Sequence, residues 1–200
     1  MTNTCPLSTD AKNYLCCFYQ TLDEMAQSIA AANLTQSISG SFAAQMIPHC
    51  RTTVQMSNNI LRFSENQAVR RMAQRLAEEQ NDRIAELEAI LPACARQTNP
   101  QLDLRLYQRR MDLILRETLA AMGSGPEHNR LSAVFLREML PHLSGAVRMA
   151  ENTLKYDVSL ELVPILRGIA GSGRRELSRT RALLNRMGCQ GTNQSSCQTT

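Results

Sequence analysis

The chain has 200 residues, 43% of them apolar, with ten Met, three His, four Phe, four Tyr and no Trp. That composition supports a sizeable core and excludes a disordered or collagen-like chain. No apolar run reaches the roughly 18 residues of a membrane span. The net charge of +4 runs from −1 over residues 1–100 to +5 over residues 101–200, too mild a basic balance to suggest a nucleic-acid partner.

In chain order the periodicity predicts helices throughout. Asp10 is placed to cap a helix over 11–31, in which Tyr14, Phe18, Leu22, Met25 and Ile29 recur every three or four residues. A polar stretch from Asn33 to Gly40 separates it from a second helix over 41–62. Ser64 to Gln67 has the spacing of a capping box and predicts a third helix there, carrying Val69, Met72, Leu76, Ile84 and Leu87 and stopping near Pro92. Asn99-Pro100 opens a fourth helix over 101–122, and Gly123 to Pro126 breaks it. Two further helices are expected over 127–155 and 159–187. Residues 189–200 are polar, lack periodicity and are expected to form a disordered tail.

A shift of 93 residues superimposes the chain on itself. Phe42, Met46, Pro48 and His49 fall on Phe135, Met139, Pro141 and His142. Val54, Met56, Asn59 and Leu61 fall on Val147, Met149, Asn152 and Leu154, and Tyr14, Leu22 and Phe63 on Tyr107, Leu115 and Tyr156. Six of the eight aromatics and two of the three His obey this one offset. The expected architecture is therefore all-α: a first three-helix repeat over 1–97 and a second over 98–188, packed as one bundle.

On a helical wheel Phe42, Met46, His49, Cys50, Thr53, Met56 and Ile60 share one face. Its counterpart carries Phe135, Met139, His142, Leu143, Ala146, Met149 and Thr153. Each His lies between two Met. Thioether, imidazole and thiolate suit copper(I) or silver(I), so convergence of the two faces would create a soft-metal site. The same residues also read as ordinary core, because Met at helical spacing fills interior gaps. Pro48 and Pro141 precede each His and deprive the carbonyls of Ala44 and Arg137 of their helical partners.

Met46 to Met56 and Met139 to Met149 resemble the repeated Met-Ile-Pro-His-His-x-x-Ala-x-x-Met signature of the ferritin-like "domain of unknown function 305" family. Gln80 to Ile84 resembles its Gln-x-x-x-Ile element. The resemblance implies a ferritin-like helical bundle. It also implies copper or silver binding, which some bacterial members perform outside the cytoplasm. Carried over by position, the family's Met and first His correspond to Met46, His49, Met56, Met139, His142 and Met149. Its second His is Cys50 in one copy and Leu143 in the other, and Gly173 stands opposite Gln80. The candidate ligands are thus Met46, His49, Cys50, Met56, Met139, His142 and Met149, with Cys50 expected as a thiolate. The alternative is a degenerate, metal-free structural or interaction module.

No Glu-x-x-His, His-Glu-x-x-His or Cys-x-x-Cys is present, so neither di-iron chemistry nor any other enzyme activity is expected. Cys16 and Cys17 are expected as small buried residues. The stretch from Arg167 to Arg186 holds six Arg and one Glu. It reads as a solvated face or a seat for an acidic partner, and a homo-oligomer is compatible with it. Residues 1–10 lack a basic stretch followed by an apolar segment, so the expectation is a cytoplasmic chain with reduced thiols.

Overall fold

The computed structural model describes residues 6–125 and 128–193. The chain is all-helical: α1 Thr9–Ala30, α2 Ile38–Leu61, α3 Gln67–Cys94, α4 Gln101–Met122, α5 Leu131–Thr153 and α6 Leu162–Asn193. Helix α2 packs against α1, α3 and α5, and α5 packs against α4, α6 and α2. These two helices therefore form the middle of the bundle, and most of their residues are buried.

The helix starts differ from the expected ones because nearby polar residues compete to cap. Ser8, rather than Asp10, caps α1 by accepting from the Ala11 N–H at 3.1 Å. Asn66, rather than Ser64, caps α3 by accepting from the N–H groups of Ala68 and Val69. Ser64 instead accepts from the Asn66 N–H. Helix α2 starts at Ile38, earlier than expected, because Ser37 accepts from the Gly40 N–H and Asn99 accepts from the Ile38 N–H at 2.9 Å. Two of the otherwise unpaired first-turn donors are thereby satisfied. Pro48, Pro92 and Pro141 all lie inside helices, so none of them ends one. Helix α6 extends to Asn193 through the first part of the expected tail; residues 194–200 lie outside the described residues.

The core comprises two apolar clusters, each drawn from both halves of the chain. A shift of 93 residues exchanges them. Phe42, Met46 and Tyr107 belong to the first, and Phe135, Met139 and Tyr14 to the second. Met149, Leu166 and Ile169 in the first likewise answer to Met56, Ala73 and Leu76 in the second. Local contacts recur in the same way. Asn59 donates to the Tyr14 carbonyl at 3.0 Å, and Asn152 to the Tyr107 carbonyl at 3.4 Å. Tyr14 meets Phe63 edge-on with centroids 6.1 Å apart, and Tyr107 meets Tyr156 at 5.8 Å. Each fully buried large side chain of this core contributes about 1.5–3 kcal/mol by leaving water.

Candidate functional site

Where α2 and α5 meet, His49 and His142 stack with ring centroids 3.9 Å apart and planes 16° from parallel. Both are buried. Burial holds His49 down to about 4 and His142 well below the usual imidazole range, the neighbouring His49 adding to the effect on His142. Both rings are therefore neutral at pH 7, the form that ligates metals.

Their hydrogen bonding is unequal. Thr53 Oγ1 lies 2.7 Å from His142 Nε2 and also donates, over 3.5 Å, to the His49 carbonyl. A hydroxyl has one proton. In the tautomer in which Thr53 donates to the carbonyl, His142 Nε2–H is the donor to Oγ1 and Nδ1 carries a bare lone pair. His142 Nδ1 has no partner, and neither has His49 Nε2. The counterpart of Thr53 is Ala146, which has no hydroxyl to offer His49.

The Met residues divide between the two clusters. Met46 and Met149 belong to one, with Cys50, and Met56 and Met139 to the other. The sequence-derived face thus brings the two His together, and each core cluster holds one Met of each motif. A cavity of about 30 Å³, the share of about one water, is lined by Met46, Cys50, Gln80, Leu143, Ala146 and Gly173 among others. A Cβ at Gly173 would approach Val147 Cγ2 to 2.6 Å, so the place of Gln80 cannot be filled by a like residue in the second half without moving Val147.

Burial pushes the Cys50 thiol up to about 12, against a smaller opposing pull from Arg83, so without a metal it is a protonated thiol at pH 7. Cys16 is exposed and Cys17 partly so, not buried as expected. Among the described residues no three His, Cys, Asp or Glu side chains group as metal ligands. An ion shared between the two stacked rings does not fit either, because imidazole lone pairs lie in the ring planes. An ion beside a ring does fit the donor set: a neutral imidazole with an unpartnered nitrogen, and thioethers in the adjoining core.

Two buried carboxylates escaped the sequence reading. Tyr14 donates to Glu138 Oε2 at 2.7 Å, and burial pushes the Glu138 carboxyl up to about 7. Glu176, the one acidic residue of the Arg-rich stretch, is buried and pairs with Arg75 at 2.9 Å and with Arg179. Arg174 pairs with Glu151, so part of the basic charge of α6 is already neutralised. Glu138 was findable: it stands four residues before His142, on the same helix face, as Gln45 stands before His49.

No helix among the described residues is long and apolar enough to cross a membrane. No curated protein matches the chain. A solved structure, the crystal structure of a DUF305 fragment from Deinococcus radiodurans, is similar in fold, with a TM-score of 0.56 and 22% identity over 78% of this chain and 98% of that one. Residues 40–184 match the family described as Domain of unknown function (DUF305). That span is well over half of the chain and includes both Met-His motifs: this protein belongs to the DUF305 family.

Proposed function

We propose that this protein binds a monovalent soft ion, copper(I) or silver(I), beside the His49–His142 pair, without catalytic turnover. The observation that carries the reading is the pair of buried, neutral rings with unpartnered nitrogens, His49 Nε2 and His142 Nδ1. A buried polar atom without a partner costs about 1–3 kcal/mol, and a soft cation would remove that cost at either atom. The ligating nitrogens belong to His49 and His142. Met46, Met149, Met56 and Met139 supply thioethers from the two core clusters, and Cys50 would have to release its thiol proton to join them. The ferritin-like character of the bundle and its origin in two like repeats belong to the same reading.

A metal-free structural bundle is the competing reading, favoured by the ring stacking itself, which already packs the two imidazoles against each other. Titration of the reduced protein with copper(I) against a chromophoric competitor separates the two. Binding is expected to saturate, to be lost in His49→Ala/His142→Ala, and to weaken at least about tenfold in Met46→Leu/Met139→Leu, which conserves core volume. Equal binding by wild type and both variants would overturn the proposal.

A further inference from the structure

Two residues of α1 stand where packing does not explain them. Cys16 is exposed and Cys17 partly so, and both are free thiols. The 93-residue shift sets them opposite Arg109 and Arg110, which are exposed on α4. The fold thus treats both positions as surface, and the first half presents a pair of thiols there. Consecutive Cα atoms lie about 3.8 Å apart, closer than the roughly 4.4–6.8 Å that a disulfide spans, so on the helix the pair remains a dithiol. A bridge through a third atom meets no such obstacle. Two sulfurs held by one soft centre, at about the 2.3 Å of a metal–thiolate bond, lie at most about 4.6 Å apart. Each Sγ is two bonds from its Cα, so rotation about χ1 brings the two within that limit without unwinding the helix.

The charges around the pair choose among thiol-seeking ligands. Arg62, at the C-cap of α2, donates to Cys17 Sγ over 3.9 Å and lies over the Phe63 ring, 5.2 Å from its centroid. Lys12 stands four residues before Cys16 on the same face of α1, and it is the one charged residue within a turn of either thiol along that helix. Both cations are exposed beside the pair and repel a bare metal cation, whereas a neutral hydroxide of a trivalent metalloid meets no such repulsion. We propose that Cys16 and Cys17 form a chelating site for arsenic(III), taken up as its neutral hydroxide or an organic equivalent. Two As–S bonds form as two As–O and two S–H bonds break, and two waters leave carrying the thiol protons. Arsenic stays trivalent, so the step needs neither oxidant nor reductant. Imidazole and thioether take no part in it, and the site shares no residue with the His pair.

Phenylarsine oxide, whose hydrated arsenic(III) carries one phenyl group and two exchangeable oxygens, is the probe. It is added to the reduced full chain in excess glutathione, and uptake is counted by intact mass spectrometry. Glutathione brings one thiol per molecule, so it displaces singly bonded adducts and leaves chelated ones in place. Wild type is expected to keep one phenylarsenic group more than Cys16→Ser and one more than Cys17→Ser, and to release that group to a small dithiol. Both substitutions lie at accessible positions, so far-ultraviolet circular dichroism of each variant should match wild type. The wild-type spectrum should also be unchanged by uptake, because the helix already holds the sulfurs within reach. Equal uptake by wild type and either variant, or loss of helix on uptake, would overturn the proposal.

Discussion

Residues related by the 93-residue offset include many shared apolar side chains, yet their buried polar atoms are treated differently. Thr53 serves His142, whereas Ala146 leaves His49 Nε2 bare. Glu138 accepts a hydrogen bond from the Tyr14 hydroxyl, whereas Gln45 makes no such bond with Tyr107. Packing tolerates exchange of the halves; hydrogen bonding does not. The differences lie at the His pair and at the two Tyr, and the surrounding core remains common to both.

The largest expected effect tests the common part. Phe42 and Phe135 are both fully buried, so Phe42→Ala and Phe135→Ala should each lower unfolding stability by about 3–5 kcal/mol, and by similar amounts, in urea denaturation. A large inequality would break the equivalence of the two cores.

Acidification comes next. The folded pKa of His49 is depressed to about 4 from 6.5, so the unfolded chain binds the extra proton between those values and stability falls as the pH drops through that window. His142 acts in the same sense. For His49 alone the loss is on the order of 3 kcal/mol. Glu138 opposes it: its folded pKa is raised from 4.5 to about 7, so its contribution falls as the pH rises through that interval. Stability measured from pH 4.5 to 6.5 should therefore rise more steeply with pH in Glu138→Gln than in wild type. An unchanged slope would remove Glu138 from the account.

Smaller effects separate the two Tyr. Tyr14→Phe should cost about 1–3 kcal/mol, because it strands a buried carboxyl. Tyr107→Phe removes a hydroxyl that has no partner and should be near neutral by thermal denaturation. The smallest effect belongs to Ala146→Thr. It offers His49 the hydroxyl that Thr53 offers His142, and Ala146 borders the small cavity, so a gain of about 0.5–1.5 kcal/mol is expected.

Much of this was legible in the sequence. The rarity of aromatics and His made the 93-residue offset visible, and the two His that it aligns are the two that the structure stacks together. Element boundaries were less legible where a distant residue decides them: Asn99 caps α2 from outside it, and no local pattern encodes that contact. Glu138 and Glu176 were overlooked because a carboxylate beside apolar residues ordinarily points to water. Their burial depends on Tyr14 and Arg75, which tertiary packing brings from other helices. Cys50 was legible as interior, but spacing carries no information about the desolvation that raises its thiol pKa in the metal-free chain.

The central claim, that the buried imidazoles are the ligands, is tested most directly by following the ring nitrogens of His49 and His142 in 15N NMR during a silver(I) titration of the reduced protein. The account predicts one saturable event in which an initially unprotonated ring nitrogen of at least one of these two residues shifts toward the metal-bound range while the Thr53-bonded nitrogen of His142 keeps its proton. Binding of silver with both rings unchanged would contradict it and place the ion on other residues.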